Sequence, residues 1–307
     1  MNAVTVGRFA PSPSGVMHLG NVFSALLAWL SVRSAGGSML LRIEDLDPDR
    51  SKPVYADAIR RDLEWLGLDW DRESEPQSRR TEIYRAAFEA LEAQGLVYPC
   101  YCTRAQLHAA SAPHASDGQS VYPGTCRSLR PEDRPAGRKP AWRLKVLDET
   151  IAFRDGLQGE YRENLLRDCG DFIIRRSDGV YAYQLAVVAD DAGMGVTQVV
   201  RGCDLLSSTS RQLYLYRLLD KTAPAFYHVP LLTAPDGRRL SKRDGDLDLS
   251  ALRLRYAPEQ LIGLLACAAG LLPKPAPVSA RELAAQFRWE NVTHEKTISI
   301  RSYLEQA

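Results

Sequence analysis

The sequence predicts an α/β fold built on an open parallel sheet, and three observations predict it. A short apolar run over residues 3–6 passes through a Pro- and Gly-rich turn into an amphipathic run over 22–32, which reads as strand, turn and helix. A second apolar run, 38–43, ends in Glu44-Asp45-Leu46-Asp47. Acidic residues at a strand's carboxyl end sit where open α/β sheets bind their ligands. Helical spacing then returns after the strand candidates rather than in a separate block, which is the order expected of βα units.

The first turn, Arg8-Phe9-Ala10-Pro11-Ser12-Pro13-Ser14-Gly15-Val16-Met17-His18-Leu19-Gly20-Asn21, is the most informative stretch. The helix that follows it offers unpaired N–H groups and a partial positive charge, which suit a phosphate. Gly20 permits a close backbone approach, and His18 can donate to a phosphate oxygen. On spacing alone, an ordinary strand–turn–helix holding a histidine accounts for the stretch equally well.

Pro53 stands at a good first helical position, and Val54, Ala58, Ile59, Leu63 and Leu66 have helical spacing that Gly67 ends. A third helix is expected over 80–94, with Ile83, Ala87 and Leu91 inward and Gly95 as its stop. Residues 98–142 are rich in Cys, Ser, Pro and Arg and weak in periodicity, so they read as an insertion. Strands are expected at 142–146, 151–153 and 171–175, the last entering a hairpin turn at Ser177-Asp178-Gly179. Residues 185–189 and 196–200 are apolar runs of the buried type, and the first suits a helix as well as a strand. Ser207 or Ser208 is a candidate cap for a helix over 209–219, and 226–232 is a further strand candidate. The chain is helical from about Leu249, with 261–271 and 280–287 joined by a stiff stretch holding Pro273, Pro275 and Pro277.

With 307 residues there is room for about two domains. No apolar run approaches the ~20 residues needed to span a bilayer, and Arg8, Pro11 and Pro13 break any signal-peptide pattern. A cytoplasmic protein with no membrane partner is therefore expected. A net charge of +1 does not mark a bulk nucleic-acid binder. One local stretch, 127–145, does carry Arg127, Arg130, Arg134, Arg138, Lys139, Arg143 and Lys145 against Glu132 and Asp133. A solvated basic loop accounts for that stretch too.

Two further constellations carry chemistry. Pro235-Asp-Gly-Arg-Arg-Leu-Ser-Lys-Arg-Asp-Gly245 brackets Arg239, Lys242 and Arg243 between Gly-containing turns. Cations on such a loop can neutralise charge building on a transferring phosphorus, and a solvated basic tip is the alternative. Cys100, Cys102 and Cys126 fall within one short stretch, whereas Cys169, Cys203 and Cys267 are scattered. The first three can hold a zinc ion, with Tyr122, His108, His114 or water completing four ligands, and free thiols are the alternative.

His18-Leu19-Gly20-Asn21 resembles the HIGH element of class I aminoacyl-tRNA synthetases, and Leu240-Ser241-Lys242-Arg243 resembles their KMSKS element. The two stand in the family's order. Arg8-Phe-Ala-Pro-Ser-Pro-Ser-Gly15, Leu41-Arg-Ile-Glu-Asp45, Trp65-Leu-Gly-Leu-Asp69, Tyr98-Pro-Cys-Tyr-Cys102, Gly170-Asp-Phe172 and Arg201-Gly202 narrow the likeness to the glutamate branch. It covers nearly the whole chain. Asn21 departs from the second histidine of many class I enzymes, a small residue being normal in this branch. Cys203, where the charging enzymes usually carry an acidic residue, points to the glutamyl-Q tRNA(Asp) synthetase family.

The resemblance implies a class I Rossmann-type parallel sheet, an inserted zinc-bearing subdomain and a short helical C-terminal region. It divides the chain into 1–97 and 143–247 as the two halves of the catalytic domain, 98–142 as the insertion and 248–307 as the helical region. No anticodon-binding domain is expected. Arg8, Phe9, Ala10, Pro11 and Ser12 would border glutamate, Glu44 would hold its ammonium, and Tyr183 and Arg201 would complete the pocket. His18, Gly20, Asn21, Ser241 and Lys242 would contact ATP, which brings Mg²⁺, with His18 and Lys242 catalytic. Cys100, Cys102, Tyr122 and Cys126 would hold one structural zinc. Glutamate, ATP and queuosine-containing tRNA(Asp) are the implied partners of a monomer.

Overall fold

The computed structural model describes residues 4–103, 106, 121–234, 237, 238, 240 and 247–304. Its centre is a parallel sheet. Strand β1 (Val6–Phe9) pairs with β2 (Ser38–Leu41), which pairs with β3 (Arg72–Glu73). On the other side of β1 lies β9 (Gln198–Gly202), which pairs in parallel with β10 (Ala225–Val229). Thr197 brings β9 alongside β1, donating its N–H to the Val6 carbonyl (2.9 Å) while its hydroxyl accepts the Val6 N–H (2.8 Å).

Helix α1 (Leu19–Ser34) crosses behind this sheet with Val22, Phe23, Leu26, Leu27 and Leu30 buried. One core gathers around it, from α2 (Pro53–Trp65) to the C-terminal elements. These elements are α6 (Leu249–Leu252), α7 (Pro258–Ala268), α8 (Ala280–Gln286), β12 (Thr297–Ser299) and α9 (Arg301–Leu304). A second core packs α3 (Thr81–Ala93), α4 (Tyr183–Gly193) and α5 (Leu206–Leu218) against antiparallel strands. Those strands are β4 (Val97–Cys100), β5 (Ala141–Leu144) and β8 (Phe172–Arg175). The ends of the cysteine-rich segment are thus strands of one sheet, and residues 98 and 142 lie inside them. Between β5 and β8 stands a hairpin, β6 (Thr150–Asp155) and β7 (Gly159–Asn164).

Several expected elements are placed differently. The first strand runs to Phe9 rather than ending at Val6, because Arg8 is buried within it and partnered; Ala3 lies outside the described residues. On α3 the inward residues are Tyr84, Phe88 and Leu91, while Ile83 is 40% exposed. Tyr84 turns that face inward by donating to Asp190 as well as packing. Residues 185–189 are helical, within α4. Neither Ser207 nor Ser208 caps α5: a 3₁₀ turn, Cys203–Leu205, leads directly into it, and both serines are buried in its first turn. Pro230 lacks an N–H and splits the expected strand 226–232 into β10 and β11 (Leu231–Thr233), which pair with β9 and β12. No helix is long and apolar enough to cross a membrane among the described residues.

Candidate active site

The turn after β1 is fixed by backbone bonds to the segment after β2. The Arg42 N–H donates to the Phe9 carbonyl (2.8 Å), and the Glu44 N–H donates to the Pro11 carbonyl (3.0 Å). This register holds Glu44 beside the turn. The turn ends at His18, the N-cap of α1, whose Nδ1 accepts the Gly20 N–H (3.1 Å). The Asn21 side chain accepts the His18 N–H in return (3.1 Å). A neutral imidazole that accepts at Nδ1 carries its proton on Nε2, so it is a donor there. A Cβ on Gly20 would stand 3.1 Å from the imidazole, closer than the ring tolerates without shifting.

A cavity of about 230 Å³ opens at this end of the sheet. Arg8, Phe9, Ala10, Pro11, His18, Gly20, Asn21, Glu44, Tyr183 and Arg201 line it together. Ser12 does not: it is exposed on the outer side of the turn. Ser241 and Lys242, with the alternative metal ligands His108 and His114, lie outside the described residues. Leu240, next to Ser241 in the chain, does line the cavity.

Three of the lining residues, Arg8, Glu44 and Arg201, are buried charges, and the chain surrounds the first two with counter-charges. Arg42, fully buried, lies 2.9 Å from the Glu44 Oε1, 2.6 Å from the Asp191 Oδ1 and 3.8 Å from the Asp190 Oδ2. Arg80 adds 2.7 Å to the Asp190 Oδ1, and the Arg8 Nε is 3.8 Å from the Asp191 Oδ1. Glu44, Asp190 and Asp191 thus stand against Arg8, Arg42 and Arg80. Burial would lower the Arg42 pKa, but the three carboxylates outweigh it and hold the guanidinium charged. Burial pushes the Glu44 carboxyl above its usual range, against the pull of Arg42 and Arg8. Burial holds Arg201 below its ordinary value, and Arg8 acts in the same direction.

The chemistry of the cavity follows. Two guanidiniums present N–H donors for carboxylate oxygens, and one carboxylate offers itself to a cation. Beside them, a helix N-terminus and the His18 Nε2 proton offer donors to an anion. The site suits a small zwitterion with an extra negative charge, held against a phosphate.

A second cluster lies in the inserted segment. The Sγ atoms of Cys100, Cys102 and Cys126 all fall within 4.8 Å of one another. The Tyr122 Oη is 3.5 Å from the Cys100 Sγ and 3.9 Å from the Cys102 Sγ. Burial and its thiol neighbours push the Cys102 thiol up to about 11, whereas at Cys100 burial is outweighed by hydrogen bonds from Tyr122, the Cys102 N–H and Arg143, which bring that thiol below its ordinary value. Gly170, at φ +69°, bridges to Tyr122 where a Cβ would stand 2.5 Å from its carbonyl oxygen, so only glycine lets that strand end approach. The cluster can hold one metal ion.

The family model for tRNA synthetases class I (E and Q), catalytic domain, matches residues 4–305. A protein named glutamyl-Q tRNA(Asp) synthetase from Symbiobacterium thermophilum is 51% identical, covering 94% of this chain and 94% of its own length. Another of that name, from Nitratidesulfovibrio vulgaris, is 50% identical over 90% of each. The chain belongs to the glutamyl-Q tRNA(Asp) synthetase family. It has the class I synthetase catalytic fold: a glutamate tRNA ligase from Elizabethkingia meningosepticum, solved with its amino acid, superposes with a TM-score of 0.80 at 28% identity. That match covers 97% of this chain and 68% of the ligase.

Motif reading in this family reaches the residues that face the cavity and misses those behind them. Arg42 stands inside a motif without a role, and Asp190 and Asp191 directly follow the apolar run 185–189 without any. Their signal was charge in an otherwise apolar, buried stretch. Replacing Arg42 by Met removes the one guanidinium that faces all three carboxylates and leaves Glu44 without its direct ion pair, which costs roughly 3–5 kcal/mol. The Glu44 carboxyl, which burial already raises, then rises further. The deficit relative to the native protein, measured by urea unfolding, therefore grows as pH rises above about 4 and shrinks below it.

Proposed function

We propose that this protein activates glutamate with ATP and transfers it to the queuosine base at the first anticodon position of tRNA(Asp). The observation that carries this reading is the joining of a two-arginine, one-carboxylate pocket to the His18 turn in one cavity. Glutamate brings two carboxylates and one ammonium. Arg8 and Arg201 take carboxylate oxygens, Glu44 takes the ammonium, and Tyr183 closes the pocket. Phe9, Ala10 and Pro11 border the amino acid. His18 and Gly20 meet the ATP phosphates, with Asn21 setting the His18 backbone. Ser241 and Lys242 enter this reading on their motif alone, as the second phosphate contact and the cation that meets the leaving pyrophosphate. Family membership supports ATP with Mg²⁺ as co-substrate.

The reaction runs in two steps. An α-carboxylate oxygen of glutamate attacks the α-phosphorus, the bond to the β-phosphate oxygen breaks, and pyrophosphate leaves. A cyclopentenediol hydroxyl of queuosine then attacks the acyl carbon and AMP leaves, giving an ester. The protein supplies position and charge, and no covalent enzyme intermediate is needed.

The catalytic domain in this reading comprises 1–97 and 143–247, with 98–142 inserted and 248–307 as the helical region. Of the basic stretch from Arg127 to Lys145, the exposed Arg130, Arg134, Arg138 and Lys139 follow the nucleic-acid backbone, whereas Arg143 is buried against Cys100 and the Asp171 carbonyl, and the protein acts in the cytoplasm as a monomer. Zinc is the metal that suits Cys100, Cys102, Cys126 and Tyr122. Tetrahedral zinc–sulfur bonds of about 2.3 Å set ligand sulfurs about 3.7 Å apart. Cys102 and Cys126 stand at 3.6 Å.

Two measurements test this. Incubated with ATP, labelled glutamate and bulk tRNA, the protein esterifies the anticodon nucleoside of queuosine-containing tRNA and nothing in tRNA that lacks queuosine. Label on the terminal adenosine would instead make it a charging enzyme. Metal analysis of the purified protein finds about one zinc per chain. Absence of metal, with Cys126 freely alkylated, contradicts the zinc site.

A further inference from the structure

Arg201 is anchored from behind by a buried chain of groups that the two-step reaction does not use. Its Nε donates to the His228 Nε2 (3.0 Å), and its Nη2 donates to the Thr209 hydroxyl (2.8 Å). The Thr209 Oγ1 lies 3.2 Å from the same His228 Nε2. On the other edge of the ring, the His228 Nδ1 is 2.6 Å from the Asp155 Oδ2. The other Asp155 oxygen accepts backbone N–H groups from Leu157 (3.0 Å), Gln158 (2.9 Å) and His228 (3.1 Å). His228 and Thr209 are fully buried and Asp155 nearly so. The Arg201 Nη1 remains beside the Tyr183 hydroxyl at 3.5 Å, and both residues line the cavity.

The proton positions follow from donor arithmetic. Arginine has no acceptor, so a bond from its Nε requires a lone pair on the His228 Nε2. A carboxylate oxygen on the other edge requires a proton on Nδ1. The ring is therefore neutral, in the Nδ1–H form. Burial, reinforced by Arg201, lowers the His228 pKa in agreement with this, although Asp155 pulls the other way. Asp155 stands on the β6–β7 hairpin, whose turn is seated on β10. The Gly156 N–H donates to the Phe226 carbonyl (2.8 Å), and a Cβ on Gly156 would overlap the Tyr227 ring.

We infer that Asp155 and His228 are positioning residues that fix the Arg201 guanidinium by holding His228 in the Nδ1–H tautomer, so that the β6–β7 hairpin sets the cavity's carboxylate recognition. The inference rests on the reading that Arg201 holds the substrate carboxylate. Two of the three guanidinium nitrogens are occupied from behind, which leaves the third directed by geometry rather than by a flexible stem.

Asp155→Asn is the informative change. Three backbone N–H groups converge on Oδ1, so the amide keeps its oxygen there and turns its NH₂ to the His228 Nδ1. The imidazole proton then moves to Nε2, where it faces the Arg201 Nε–H. Nitrogen-15 NMR of the native protein at about pH 7 shows His228 protonated on Nδ1 and not on Nε2, and Asp155→Asn reverses the pair. In glutamate-dependent ATP–pyrophosphate exchange, Asp155→Asn and His228→Phe raise KM for glutamate by roughly tenfold to hundredfold. KM for ATP stays within about twofold. His228→Gln, whose amide oxygen reaches the Nε2 position, restores most of the loss.

A protonated Nε2 in the native protein overturns the inference. So does a glutamate KM that holds within about twofold in both variants, or an ATP KM that rises with it. If His228→Phe does not fold, the tautomer and KM of Asp155→Asn decide the matter. Arg201→Ala separates the two levels. If it leaves the glutamate KM unchanged, the reading of Arg201 fails, whereas a large effect there with none at His228 removes the relay alone.

Discussion

The cavity depends on Arg42. It is fully buried on the segment that follows β2, and it touches Glu44, Asp190 and Asp191 at once. A buried carboxylate without partners takes up a proton rather than stay charged. At Glu44 burial raises the carboxyl's pKa, and Arg42 and Arg8 oppose that effect. Asp191 in turn lies against Arg8, so one guanidinium links β2, β1 and α4 through charges that must be present together. Such a network adds little to stability compared with well-packed apolar residues. What it gives is a rigid arrangement of charge already in place before a ligand arrives, which suits chemistry that relies on position.

The same pattern recurs on the other side of the cavity. Arg201 is held by His228 and Thr209, and His228 by Asp155. At the cysteine cluster, Arg143 of β5 donates to the Cys100 Sγ (3.3 Å) and lies 3.7 Å from the centre of the Tyr122 ring. Arg8, Arg201 and Cys100 are thus each held by a buried partner drawn from a different element. The hairpin, the antiparallel sheet and the parallel sheet are connected through these polar contacts as well as through their two apolar cores.

Much of this was readable in the chain. Gly67 and Gly95 end α2 and α3 as expected, both with positive φ. The motifs named Arg8, Glu44, Tyr183 and Arg201, which the fold brings to one cavity despite their separation in sequence. Tyr183 was named by the resemblance alone, since neither periodicity nor charge marked it. Periodicity failed where polar groups are buried with partners. It stopped β1 before Arg8, rolled α3 toward Ile83, and took Ser207 and Ser208 for caps. It also passed over β7, whose Glu160, Arg162 and Glu163 hide its pairing with β6; only Tyr161, packed on Phe153 at 5.4 Å, gives it an apolar face. Arg42 and Asp191 are 149 residues apart, and Asp155 and His228 are 73 apart, so no local pattern announces either pair.

In the proposed function the cavity selects glutamate by charge, with Arg8 and Arg201 facing two carboxylates and Glu44 an ammonium. Glutamine matches glutamate in size and carries one carboxylate fewer. ATP–pyrophosphate exchange with each amino acid tests the claim directly. A buried guanidinium left without its counter-ion should lower kcat/KM for glutamine by at least about a hundredfold. Exchange with glutamine within about tenfold of that with glutamate would contradict it.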